Sequence, residues 1–105
     1  MQNGQNNRRA LLPQKQLDAF IAQHADWRVE NQSLQRSASF STYLDGVAFV
    51  NRAAELAEEA DHHPDLHLFW RKVDMVLSTH DAGGVTQLDL DLAVRLDSAL
   101  RVFSV

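Results

Sequence analysis

Residues 58–66, Glu-Glu-Ala-Asp-His-His-Pro-Asp-Leu, set two adjacent histidines before a proline and among carboxylates. Imidazole changes charge near neutral pH, so one histidine can donate a proton while another accepts it. His62 and His63 are the nearest candidates, and His80 is a third that a returning chain can bring beside them. Glu58 stands four residues before His62, one helical turn away on the same face, where its charge favours the protonated ring. Asp61, directly before the pair, is placed to orient a ring. A metal site is one reading, because three histidines with Glu58 or Asp89 offer the imidazole and carboxylate that zinc takes. Against it, adjacent histidines point in different directions and lack the i, i+4 spacing that puts two imidazoles on one helix face. Metal-free proton transfer is the other reading; each imidazole contributes about 10²–10⁴-fold, which suits a substrate that is already labile. The plain structural alternative makes Glu58 and Glu59 a solvated helix face and His62 a partner of the helix's negative end. His24 is expected to serve structure in that way, and His67 to face solvent.

The elements that must carry these residues follow from periodicity. Residues 1–11 are polar and amide-rich and are expected to form a flexible tail without chemistry, followed by a single domain over 12–105. From Pro13, Leu17, Phe20 and Ile21 recur at helical spacing, predicting a first helix that ends near Asp26. Alternation from Trp27 to Tyr43, broken by Asn31-Gln32-Ser33, predicts a β-hairpin. Thr42 to Asp45 has the pattern of a capping box, and the wide apolar stripe after it (Val47, Val50, Ala54 and Ala57, with Phe49, Ala53, Leu56 and Ala60 beside them) predicts a helix buried against a sheet. That helix should stop before Pro64, whose ring crowds His63 out of the α region. Leu66, Leu68 and Trp70 alternate, as do Val73, Met75 and Leu77, but with opposite parity, so a bulge or break is expected near Arg71-Lys72. Gly83-Gly84 reads as a turn, and Thr86 to Asp89 as a second capping box opening a last helix. The fold class is therefore α+β, two-layer, with an antiparallel sheet, three helices on one face and the order α-β-β-α-β-α. An exposed sheet edge in so short a chain predicts pairing with a second copy.

Composition removes several function classes. Ten Lys and Arg stand against 14 Asp and Glu, a formal charge of −4 with no basic stripe, so no direct nucleic-acid or membrane binding is expected. There is no cysteine, which excludes disulfides, thiolate metal sites and cysteine nucleophiles. No segment has the ~18 apolar residues of a membrane span or reads as a signal peptide, and a cytoplasmic setting is expected.

Read jointly, Glu58, His62-His63-Pro64, Trp70, His80 and Asp89 resemble the signature of the pterin-4a-carbinolamine dehydratases, also known as dimerisation cofactors of a homeodomain transcription factor. Leu77-Ser-Thr-His-Asp81, the Gly-Gly-Val-Thr turn after it, and Trp27 resemble the family too, over about residues 12–103. The resemblance implies a small α+β protein, dimeric or tetrameric, that dehydrates 4a-hydroxytetrahydropterin to quinonoid dihydropterin without a metal or other cofactor, in support of tetrahydropterin recycling. It implies that His62 and His80 form the acid–base pair and that His63 binds and orients the pterin and shares in proton transfer. Glu58 and Asp61 would tune His62 or accept from the pterin's amino and amide groups. Ser78, Thr79 and Asp81 would line the floor beside Pro64, and Trp27 would wall or stack on the ring. Asp89 fits the last position of the motif and the capping box equally. Leu66 stands where many relatives carry an aromatic residue, which makes one pocket wall aliphatic. The rival from another class is a dimeric interaction protein or transcriptional coactivator whose catalytic site is secondary.

Overall fold

A computed structural model describes residues 8–103 and places them in three helices and one four-stranded antiparallel sheet. Helix α1 (Gln14–Gln23) follows Pro13 and ends at His24, whose ring stacks on Phe20 with centroids 4.2 Å apart. Strands β1 (Arg28–Glu30) and β2 (Ser33–Ser39) form the expected hairpin, pairing Glu30 with Ser33. Asn31 and Gln32 form its tip with φ of 52° and 62°, the doubly left-handed geometry whose twist suits a two-residue hairpin. Helix α2 (Tyr43–Ala60) starts at Thr42, whose side chain accepts from the Asp45 N–H, and ends well before Pro64.

The expected single strand after Pro64 is two strands, β3 (Asp65–Phe69) and β4 (Lys72–Leu77), so the order is α-β-β-α-β-β-α. What separates the two parities is a tight turn at Trp70-Arg71, with Phe69 paired to Lys72. The turn contains none of the residues that usually mark one. Arg71 closes it instead, stacking its guanidinium 4.3 Å from the Trp70 ring centroid and donating to the Ser41 carbonyl at 3.1 Å. The strand order is β1-β2-β4-β3, which leaves β3 as a sheet edge.

Burial alternates along β4: Val73, Met75 and Leu77 are fully buried, while Lys72, Asp74 and Val76 face the other side. Leu34 and Ala38 of β2 join the buried face. Against it pack Leu17 of α1, Phe49, Ala53 and Leu56 of α2, and Leu92, Ala93, Leu96 and Leu100 of helix α3 (Gln87–Leu100), in one core. Residues 1–7 of the expected tail lie outside the described residues, but residues 8–11 are held down. Arg8 pairs with Asp91, Arg9 with Asp81, and the neighbouring Leu12 N–H donates to the Val85 carbonyl at 3.0 Å. No helix among the described residues is long and apolar enough to cross a membrane.

Candidate active site

The end of α2 decides where the histidines go. Asp61 sits in the left-handed region, with φ 50° and ψ 42°, and the chain folds back on itself: the Asp61 N–H donates to the Glu58 carbonyl and the His62 N–H to the Ala57 carbonyl. This is the Schellman arrangement, with aspartate where glycine is usual; a short polar side chain is among the few that enter this region. The residue after the left-handed position turns inward over the last helical turn, and here that residue is His62, buried at 9% exposure. His63, one step further, is exposed.

Helix α3 begins opposite. Thr86 and Asp89 make a complete capping box: the Asp89 carboxylate accepts from the Thr86 N–H at 2.9 Å, and the Thr86 hydroxyl accepts from the Leu88 N–H at 3.2 Å. Asp89 is fully buried, and its carboxylate is shared among three donors. Oδ2 takes both the Thr86 N–H and the Thr79 hydroxyl, each at 2.9 Å, and Oδ1 meets His62 Nε2 at 2.5 Å. Since the single Thr79 hydroxyl hydrogen goes to Asp89, the 2.7 Å contact between Thr79 and Thr86 is donated by Thr86. The hydrogen bonds therefore run from the Leu88 N–H through two threonine hydroxyls to the carboxylate, each polarising the next. A carboxylate accepting on both oxygens assigns Nε2–H to His62 and leaves Nδ1 as its exchangeable position.

Beyond Leu77 the chain makes a tight loop around Thr79, whose carbonyl accepts from Ala82, Gly83 and Gly84. His80–Ala82 is one turn of 3₁₀ helix, and Gly83 takes φ 78°, a value open to glycine. His80 is exposed. Asp61, His62, His63, Ser78, Thr79, His80 and Asp81 line one cleft of about 200 Å³, together with Arg9. Arg9 donates to Asp81 at 3.0 Å and holds its carboxyl below the usual aspartate range, chiefly through that hydrogen bond and then through its charge. A larger cavity of about 490 Å³ lies beside Leu11, Leu12 and Pro13, but no histidine or carboxylate lines it.

A protein-family comparison matches residues 10–99 to the family described as pterin 4 alpha carbinolamine dehydratase. The chain belongs to this family. Among curated relatives, one from Mycobacteroides abscessus with the provisional name pterin-4-alpha-carbinolamine dehydratase is 46% identical over 91 residues, covering 87% of this chain and 97% of the relative. One from Natronomonas pharaonis with the same provisional name is 49% identical over 73 residues, covering 70% and 79%. Among solved structures, one titled transcriptional coactivator/pterin dehydratase from Brucella melitensis superposes with a TM-score of 0.80 at 28% identity, covering 84% of this chain and 96% of that one. A second, titled a pterin dehydratase-like RuBisCO assembly factor, shares the fold at a TM-score of 0.63 and 24% identity, covering 72% and 90%.

Set beside this family's motif, several residues stand elsewhere than the sequence suggests. Glu58 does not pair with His62: the helix ends at Ala60, the i, i+4 relation lapses, and Glu58 Oε2 meets His63 Nε2 at 2.6 Å in an exposed pair. His62 takes Asp89 instead, so Asp89 lies buried behind the imidazole and is absent from the cleft lining. Trp27 is no wall of the cleft. It is 1% exposed in the core, where its indole N–H donates to Asp97 at 2.8 Å, and Asp97 also takes Arg36 at 2.6 Å. Pro64 and Leu66 are half-buried and do not line the cleft; Leu66 packs on the core. Arg9, in the stretch expected to be a tail, does line it. Among the described residues no group of three histidine or carboxylate side chains is arranged to hold a metal ion.

Proposed function

We propose that the chain dehydrates 4a-hydroxytetrahydropterin to quinonoid dihydropterin, with His62 and His80 as the acid–base pair. The observation that carries this reading is the buried Asp89–His62 pair at 2.5 Å, opening on a cleft that also holds His63 and His80. Fixing Nε2–H on the carboxylate commits Nδ1 of His62 to proton exchange, the logic by which a buried aspartate orients a catalytic imidazole. In the reaction the lone pair of the adjacent ring nitrogen forms a C=N bond as the C4a–O bond breaks. One histidine protonates the departing hydroxyl to water, and the other takes the proton from that nitrogen, so the exchange balances. His63, backed by Glu58, orients the pterin and shares in the transfer. Asp61 accepts from the amino and amide groups, and Ser78, Thr79 and Asp81 form the floor. No metal or other cofactor enters these steps. The reaction fits recycling of tetrahydropterin after a hydroxylation.

The β3 edge favours a homo-oligomer, since Leu68, Phe69 and Trp70 at and beyond it are 38%, 47% and 72% exposed and its outer backbone groups await a partner. A coactivator role beside catalysis, as described for the Brucella melitensis protein, would use such a surface. The test of the enzymatic reading is to mix purified protein with chemically generated carbinolamine and follow the quinonoid product. A rate no higher than the spontaneous one sinks the proposal.

A further inference from the structure

We infer that Arg9 is a substrate-binding residue of this cleft, carried to it by the N-terminal segment, and that it donates hydrogen bonds to the acceptor atoms of the bound pterin. The inference rests on the dehydratase reading above. Four contacts pin residues 8–12 across the loop that bears His80. Arg8 pairs with Asp91 of α3, Arg9 with Asp81, and the Leu12 N–H with the Val85 carbonyl. Leu11 lies so close over Gly84 that a Cβ there would stand 2.9 Å from its Cδ2. A segment held in this way delivers Arg9 to a fixed place at the cleft mouth.

The donors and acceptors of the lining show what it does there. Asp61 and Asp81 only accept; Ser78 and the three imidazoles do either, and Thr79 has given its hydrogen to Asp89. Arg9 is the one lining side chain that only donates. A pterin carries both kinds of group: amino and N–H donors that the carboxylates satisfy, and a carbonyl oxygen and unprotonated ring nitrogen that need donors. The guanidinium has five N–H groups and its hydrogen bond to Asp81 uses one nitrogen, Nη2, so the rest of the fork is available. The Arg9–Asp81 pair is exposed, with side chains 56% and 79% accessible, and such pairs are weak enough for the guanidinium to swing onto a ligand.

The experiment compares wild type, Arg9→Ala, Arg9→Lys and Arg8→Ala by steady-state dehydration kinetics and by fluorescence titration with 7,8-dihydrobiopterin. Arg8 and Arg9 are exposed, so none of these changes opens the core. Arg9→Ala is expected to raise KM and Kd about tenfold, as for loss of a hydrogen bond from a charged donor, with kcat within about twofold. Arg9→Lys should recover part of the loss, and Arg8→Ala, which removes one of the four contacts that hold the segment, should raise both constants clearly less than Arg9→Ala does. Arg9→Ala constants within about twofold of wild type overturn the inference, and so does an equal rise in Arg8→Ala, which would reduce Arg9 to an anchor. Wild type that binds dihydrobiopterin through Arg9 yet dehydrates nothing removes the proposed reaction and keeps the inference. Wild type that neither binds nor turns over removes both.

Discussion

Asp89→Asn isolates the orientation of His62. The amide keeps the size of the carboxylate, and its oxygen can still accept from the Thr86 N–H and the Thr79 hydroxyl, which both reach Oδ2 at 2.9 Å. Its NH2 then faces His62 Nε2, which must become an acceptor and send the ring proton to Nδ1, the reverse of the arrangement proposed for catalysis. A positioned imidazole contributes about 10²–10⁴-fold, so kcat should fall at least ~10²-fold, or about 2.7 kcal/mol of barrier. The folded state exchanges three hydrogen bonds to a carboxylate for three to a neutral amide and sheds the desolvation cost of a buried charge, a net loss of about 1–2 kcal/mol, and Tm should fall by roughly 5–15 °C. Asp89→Ala is less informative: it strands an imidazole, a hydroxyl and a backbone N–H in the interior, at about 1–3 kcal/mol each. The assay is single-turnover dehydration alongside a thermal melt. If Asp89→Asn keeps more than about a third of wild-type kcat, the Asp89–His62 pair is structural and the reasoning from tautomer to catalysis fails.

Three further outcomes separate site from scaffold. Trp27→Phe removes the hydrogen bond to Asp97 and part of the core packing, so chemical denaturation should show a loss of about 1–3 kcal/mol while KM stays within about twofold; a KM rise at unchanged stability would return Trp27 to the pocket. Asp61→Gly should leave stability within about 0.5 kcal/mol of wild type, because relief of the left-handed strain offsets the entropy of glycine, whereas Asp61→Val should lose about 1–2 kcal/mol. Equal losses in the two variants would contradict the Schellman assignment. Asp81 should titrate below 3.8 in a carboxyl NMR experiment and move upward in Arg9→Ala. A folded value below the unfolded one means that the Arg9 contact stabilises above about pH 4 and is lost as pH falls through the lower value. An Asp81 titration unmoved by Arg9→Ala would show that the pair does not form in solution.

Much of this architecture was legible because local rules and tertiary packing agree. Pro13, the hairpin tip at Asn31-Gln32, the Thr86–Asp89 box and Gly83 each carry their structure in their own chemistry. The turn at Trp70-Arg71 was not, because a stacked guanidinium and a hydrogen bond to Ser41 replace the usual turn residues, and the change of parity is the only trace in the sequence. At the site, the three histidines and the proline announce themselves, but their pairing does not. Helical spacing assigns Glu58 to His62 only if the helix continues, and a left-handed aspartate that ends it has no sequence mark comparable to glycine. The role of Asp89 was half visible, since the capping box accounts for one of its oxygens and His62, 27 residues away, claims the other. Arg9 had no signal in a polar stretch; only the fold brings it to the cleft.

In the proposed reaction His62 and His80 together dehydrate the carbinolamine. It is tested most directly by the dehydration rate of a His62→Ala, His80→Ala double variant beside wild type, under conditions where both are folded by circular dichroism. The wild-type rate should lie well above the spontaneous reaction and the double variant at the spontaneous rate. A double variant that retains the wild-type rate would contradict the proposal.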